Sequence, residues 1–296
     1  MGTPEGALPI TLQGFDDERT PAMPLILFSH ANSFPASTYR LMFESLQARG
    51  YGVKAVEKYG HDPRYPVTNN WPHVVPQLLD LAQLAYAQTN EPVWLVGHSL
   101  GGYVSLMAAA AKPRLVRGVV LMDSPIVGGW RSKALGLMKT THMFGKFSPG
   151  AHSKKRRESW PSIEAAFEHF RNKKAFAKWD EAVLWDYVTH GTTASEDIHH
   201  DAARRVLAFD RAVETQFYNT VPDNLERLLA RQPVKCPVAF IGARGSAEIK
   251  QVGLTATQKI TKGRIMMLDG SHLFPMEKPL ATAAAIEATL RNMERL

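Results

Sequence analysis

Apolar and polar positions fall into alternating blocks along this chain of 296 residues. Short apolar runs bounded by Pro, Gly or charged residues predict buried strands at PLILFSH (24–30), GVKAVE (52–57), PVWLVG (92–97) and LVRGVVLMD (115–123). Between them lie stretches of helical character. Residues 36–49 predict a helix ending at Gly50. Residues 71–88 predict another, with Leu78, Leu81, Leu84 and Ala85 on its apolar positions, and Leu100–Ala111 a third, dense in Ala and Leu. Much later, PVAFIG (237–242) and GRIMMLDG (263–270) add two strands, and residues 279–293 predict a closing helix. Alternation of this kind predicts an α/β fold, a mostly parallel central sheet with helices on both faces.

The rhythm breaks between Ser124 and Gln232. That stretch offers no convincing buried strand, is rich in charge and carries Trp130, Trp160, Trp179 and Trp185, four of the six tryptophans. The expected organisation is therefore a core of residues 1–123 and 233–296, interrupted by a helical insertion over 124–232. Its large aromatic residues are expected to pack or to wall a pocket, packing being the commoner use of any single one.

Gly97-His98-Ser99-Leu100-Gly101 sits where a predicted strand turns into a predicted helix. A G-x-S-x-G sequence in that setting forms a sharp elbow that lifts the serine hydroxyl to the carboxyl edge of the sheet. Glycine is expected at 97 and 101 because a side chain there would collide with the neighbouring strand or helix. The bland alternative is a Gly-rich turn with a capping serine. A serine hydroxyl needs a base to take its proton. Of the eleven histidines, His272 follows the sixth strand in LDGSHLFPMEKP and would open onto the same edge as Ser99. His98 is expected to point elsewhere and bond locally, and His199 and His200 to lie on the surface of the insertion. His61 and Asp62 are expected to shape a turn around Pro63. An oxyanion would need two donors: the backbone N–H of Leu100, and one from the loop FSHANSF (28–34) after the first strand.

With these residues in place the chain resembles an α/β-hydrolase, from Leu25 to the closing helix. The resemblance implies an H-G-x motif after the first strand, matched here by His30, Ala31 and Asn32. Asn32 would supply the second backbone donor and His30 would hold the loop, while Ala31 departs from the usual glycine. In most members the acid of the triad follows the strand after the insertion, but here Gly245 and Ser246 stand at that place. Some members carry the acid one strand earlier, and there this chain has Asp123, at the end of VVLMD. Asp123 is favoured over Glu248, which comes a few residues late; a turn-capping role for Asp123 is the competing view.

Composition narrows the picture. Hydrophobic residues make up 45% and charged ones 21%, ordinary for a soluble domain with a sizeable core. Cys236 is the single cysteine, which excludes an internal disulfide, suits a reducing compartment and reads as a buried strand residue rather than a reactive thiol. No apolar stretch is long enough to span a bilayer, and residues 1–20 have no signal-peptide pattern, so a cytoplasmic location without membrane attachment is expected. The net charge of +7 peaks at Lys154-Lys155-Arg156-Arg157. With no nucleic-acid motif beside it, that run reads as a solvated face. No metal-ligand spacing and no cofactor motif is present.

The expected function is a serine hydrolase that cleaves a small or medium carboxylic ester through an acyl-enzyme, with Ser99 as nucleophile, His272 as base and Asp123 as acid. Its one expected partner is that small-molecule ester, and oligomeric state is left open. The same triad could serve thioester hydrolysis, acyl transfer or C–C bond hydrolysis, and a non-catalytic ligand-binding protein of this fold is the alternative outside enzymes.

Overall fold

The computed structural model describes residues 23–140, 156–195 and 204–295. Among the described residues the strands are β1 (Leu25–Ser29), β2 (Gly52–Ala55), β3 (Val93–His98), β4 (Val116–Met122), β5 (Ser159–Trp160), β6 (Thr192–Ala194), β7 (Arg205–Leu207), β8 (Val238–Ala243) and β9 (Ile265–Leu268). Six of them form one sheet in the order β2-β1-β3-β4-β8-β9, each neighbouring pair parallel.

The apolar runs form strands because both faces of the sheet are covered. On one face Ile26, Phe28, Trp94, Val96, Val120 and Met122 join the layer that holds α1 (Arg40–Ala48) and the closing helix Pro279–Met293. On the other, Leu27, Leu95, Val119, Leu121 and Phe240 meet α2 (Val75–Thr89) and α3 (Leu100–Ala111). Neighbours in sequence alternate between the layers, as the strand period of two requires. Each Leu, Val or Phe withdrawn completely from water contributes roughly 2 kcal/mol.

Chain order places the site. From β1 the chain moves outward to β2, then returns past β1 to β3 and onward to β4. The direction of travel reverses between β1 and β3, and such a switch point opens a crevice beyond the carboxyl ends of the two strands. The loop His30-Ala31-Asn32 follows β1 and Ser99 follows β3, so both border it.

Most expected elements hold to within a residue or two. The main exception in the core is α2, which starts at Val75 rather than 71, because Asn70 and Trp71 both take left-handed backbone (φ 65° and 59°). Trp71 is held there by its indole N–H, which donates to Thr220 Oγ1 at 2.9 Å. Cys236 lies half-buried in the bend before β8 rather than in a strand, and burial pushes its thiol up to about 11.

The segment between β4 and β8 is not purely helical. Besides α4 (Gly129–Thr140), α5 (Ile163–Arg171), α6 (Glu181–Gly191), α7 (Arg211–Asn219) and α8 (Leu225–Arg231), it holds a small antiparallel sheet, β5-β7-β6. Side-chain caps begin three of these helices: Ser162, Asp180 and Asp210 accept from Ala165, Ala182 and Ala212 amides. An aromatic cluster of Trp160, Phe170, Phe176, Trp179 and Tyr187 fills the segment and receives Phe34 from the loop after β1. The tryptophans divide: Trp160 and Trp179 are buried there, Trp185 stacks on Phe167 at 4.0 Å and is 37% exposed, and Trp130 is 69% exposed. No helix among the described residues is long and apolar enough to cross a membrane.

Candidate active site

Ser99 stands between β3 and α3 with φ 54° and ψ −113°, a conformation an L-residue holds only under constraint. Such a residue costs about 1–3 kcal/mol, met by the surrounding structure. Its N–H donates to Met122 O at 2.9 Å, tying the elbow to β4. The two flanking glycines have the predicted reason. A Cβ at Gly97 would stand 2.2 Å from the Gly101 backbone, and one at Gly101 would stand 2.0 Å from Ser29 O. No side chain fits at either position, so β1, β3 and α3 can close around the turn.

Asp123 follows β4 directly with φ 43°, left-handed backbone that Asp tolerates better than most residues. Its side chain is 0% exposed, and a buried carboxylate demands donors. Oδ1 accepts the Ala243 N–H at 2.9 Å. Oδ2 accepts the Ser246 hydroxyl at 2.5 Å and the His272 Nδ1–H at 2.6 Å. Ser246, one of the two residues standing where an acid was expected, supplies its hydroxyl to the Asp123 carboxylate. The carboxylate fixes the imidazole with its hydrogen on Nδ1, leaving Nε2 free to accept a proton.

Glu248, on the short helix Ala247–Val252, has Oε2 3.5 Å from the same Nδ1, and 42% of its side chain is exposed. The imidazole has one hydrogen at that nitrogen, and Asp123 takes it. His272 itself is 19% exposed. Its loop is braced by Glu277, which accepts the N–H of Ser271 at 3.0 Å and its hydroxyl at 2.5 Å. Sequence reading met Ser246 only as a residue standing where an acid was expected, without a role, and passed over Glu277, for which no signal existed.

The loop after β1 carries the other expected donor. His30 Nδ1–H donates to Ala31 O at 2.7 Å, and Nε2 accepts the Tyr59 N–H at 2.9 Å. Burial brings its pKa down to about 4, so the ring is neutral and both nitrogens are engaged in holding the loop. The Asn32 amide nitrogen has no acceptor among the described residues, whereas its side chain donates from Nδ2 to Glu214 O at 3.0 Å, linking the loop to α7. Leu100 is the first residue of α3 and has no carbonyl one turn back to take its N–H. Two open amides thus stand at the ends of β1 and β3.

Other expectations sort as follows. His98 does not face away from the site: its Nε2 reaches His272 O at 2.9 Å, and the two rings lie 5.1 Å apart. His61 bonds Tyr59 O and the Asp210 N–H, and Asp62 receives Arg64 in a turn. Arg156 is not on a solvated face but pairs with Glu214 at 2.9 Å, side chains 15% and 7% exposed. Lys154, Lys155, His199, His200 and residues 1–22 lie outside the described residues. Among the described residues the one grouping of metal-capable donors is Asp123, Glu248 and His272. Both Asp123 oxygens already accept hydrogens there, so a cation would have to displace them.

Comparison with known proteins agrees with this architecture. The sequence is similar to a serine hydrolase-like protein of Dictyostelium discoideum, 25% identical over 83% of this chain and 69% of that one. A shorter match, 54% identical over 35 residues, is to the chloroplastic pheophytinase of Arabidopsis thaliana; it covers 12% of this chain and only 7% of that protein. In three dimensions the chain is similar to E-2-(acetamidomethylene)succinate hydrolase, with a TM-score of 0.66 at 23% identity over 90% of this chain and 91% of that one. The pattern that describes the alpha/beta hydrolase family matches residues 26–285, a span that includes Ser99, Asp123 and His272, and the chain belongs to that family.

Proposed function

We propose that the protein is a serine hydrolase that cleaves a small or medium carboxylic ester through an acyl-enzyme. The observation that carries this reading is the 2.6 Å bond from His272 to the buried Asp123 carboxylate, with Asp123 next to Met122, whose carbonyl accepts the N–H of the strained Ser99. In the reaction, His272 Nε2 takes the Ser99 hydroxyl proton as Oγ attacks the ester carbonyl. The tetrahedral oxyanion lies against the Asn32 and Leu100 amides. Collapse breaks the bond to the alcohol, which leaves with the proton held by His272. Water then attacks the acyl-enzyme by the same route in reverse, His272 taking its proton and returning one to Ser99. Asp123 keeps the imidazole in register and stabilises its cation in both halves.

The segment 124–232 acts as a cap. Support comes from its contacts with the loop after β1, where Phe34 meets Trp179 and Tyr187, and Asn32 meets Glu214. A cap of apolar and aromatic side chains favours an uncharged acyl group over a charged polymer. The substrate is the proposed partner, with no part for nucleic acid or membrane, and the proposed location is cytoplasmic.

The test combines a fluorophosphonate probe with p-nitrophenyl esters of graded acyl length. Wild type is expected to be labelled at Ser99 and to turn over the shorter esters. Ser99→Ala is expected to lose both while keeping its melting temperature. Ester turnover that survives Ser99→Ala would remove serine from the mechanism.

A further inference from the structure

His98 directly precedes Ser99, and its imidazole is completely buried. Both ring nitrogens are engaged with distant segments: Nε2 lies 2.9 Å from the carbonyl oxygen of His272, and Nδ1 lies 2.8 Å from the hydroxyl of Tyr39. A carbonyl oxygen can only accept, so Nε2 carries the hydrogen and donates it. Burial and the neighbouring His272 hold the His98 pKa well below its ordinary value, so the ring is neutral and Nδ1 is a bare acceptor. Tyr39 must then donate its hydroxyl hydrogen to Nδ1. The Tyr39 oxygen in turn accepts the Ala31 N–H at 3.2 Å. Burial also raises the phenol pKa, which keeps that hydrogen in place. With the hydrogen on Nδ1 instead, the bare Nε2 would face a carbonyl lone pair.

The result is a directed chain: Ala31 N–H to Tyr39 OH, Tyr39 OH to His98 Nδ1, His98 Nε2–H to His272 O. It joins the three segments that the proposed chemistry needs in mutual register. Ala31 adjoins the Asn32 amide, His98 adjoins the nucleophile, and His272 is the base. We infer that Tyr39 and His98 are positioning residues that set the Asn32 amide and the His272 imidazole relative to Ser99, an inference that rests on the serine hydrolase reading. Tyr39 is 2% exposed and His98 0%, so neither meets substrate. They act through backbone groups of the residues that do. The two bonds on His272, Asp123 to its ring and His98 to its carbonyl, hold side chain and main chain separately.

The experiment uses Tyr39→Phe, His98→Leu and His98→Gln in the full chain. Tyr39→Phe keeps the ring that packs on Phe28 at 4.6 Å and removes only the hydroxyl. It is expected to slow fluorophosphonate labelling and kcat about ten- to a hundredfold, the range a misplacement near 1 Å produces, with KM nearly unchanged. His98→Leu is expected to do the same. His98→Gln, which still offers an N–H toward His272 O, is expected to recover most of the rate. Nitrogen-15 spectra of the wild type should show His98 neutral with its hydrogen on Nε2. A His98 hydrogen found on Nδ1, or variants that react at the wild-type rate while the wild type is labelled at Ser99, would overturn the positioning role and leave the hydrolase reading standing. A wild type that never labels overturns the hydrolase reading and the positioning role with it.

Discussion

Asp123 and Arg156 are an acidic and a basic side chain drawn out of water, one at the edge of the sheet and one in the segment between β4 and β8, and they are partnered differently. Asp123 receives a strand-end amide, a hydroxyl from the first turn after β8 and an imidazole. Arg156 receives one carboxylate, Glu214, and the Tyr187 hydroxyl. The donors around Asp123 are fixed by the parallel ladder of β4 with β8, whose own register runs Val119↔Val238 to Met122↔Ile241. They are mostly neutral dipoles, so in the proposed mechanism the carboxylate stays available to an imidazolium forming at His272, with no rearrangement. Arg156 and Glu214 instead cancel one another on the spot. The sheet edge preserves a usable charge where the insertion uses charge to hold two segments together.

The sharpest way to break this comparison is Asp123→Asn. The amide keeps the size of the carboxylate but cannot accept from both Ser246 and His272 with the same oxygen and still carry charge. A fall in kcat of about 10⁴-fold is expected, with the fold retained. Steady-state ester hydrolysis and circular dichroism measure the two; a loss below tenfold would place the acid elsewhere.

On the other side of the comparison, Arg156→Met should leave turnover chemistry alone and strike stability. It strands Glu214, 7% exposed, without its cation. The expected loss is on the order of 3 kcal/mol in urea unfolding, toward the lower end for a broken buried pair because Arg156 retains some solvent contact. Adding Glu214→Leu should return most of it, since an apolar pair needs no compensation. If the double variant is as weak as the single one, the ion pair contributes more than mutual cancellation.

The same contrast explains what could be read from sequence. Ser99 announced itself because the G-x-S-x-G elbow is local: five consecutive residues carry both the serine and the glycines that make room for it. The bounds of α3 and the closing helix were readable from composition and periodicity alone. Asp123 drew attention through its place at the end of VVLMD and through an absence, the lack of a carboxylate at 245–246. The Ser246 hydroxyl that bonds its oxygen could not be read, because that contact spans 123 residues. Strands β5, β6 and β7 are two or three residues each, SW, TTA and RVL, too short to show alternation. Pairing defines them, and pairing is not a local property. The late start of α2 has the same origin, since the Trp71 indole bond to Thr220 overrides a helical pattern. His98 was placed wrongly because its partners, Tyr39 and His272, meet it only in the folded chain.

Neutral groups at the sheet edge offer a third measurement. His30 titrates near its ordinary 6.5 in the unfolded chain and at about 4 in the fold, where burial disfavours its cation. Between those values the unfolded chain holds a proton that the folded chain lacks, so acid favours unfolding. Stability from this residue is full above pH 6.5, falls as pH drops and levels off below pH 4. Between pH 7.5 and 5 its share is about 2 kcal/mol. The difference in unfolding free energy between wild type and His30→Gln should shrink by that amount over the same range, as His98 titrates alike in both. A constant difference would mean that His30 is protonated in the fold.

The smallest effect is expected from the second carboxylate near His272. Glu248 faces the same His272 nitrogen as Asp123 but stands 3.5 Å away, accepts no hydrogen from it and is 42% exposed. Water and salt screen a charge in that position, so its help to a forming imidazolium is below about 1 kcal/mol. Glu248→Gln should therefore lower kcat less than about fivefold, and the deficit should shrink further as ionic strength rises and the Debye length falls to a few ångströms. The Asp123→Asn deficit should not respond to salt, because its carboxylate is closed to solvent and bonded directly. Salt titration of kcat in the two variants thus separates a charge held by donors from one that merely stands nearby. If Glu248→Gln were the salt-insensitive, severely impaired variant, the roles of the two carboxylates would be exchanged, and Ser246 would be holding Asp123 for structure alone.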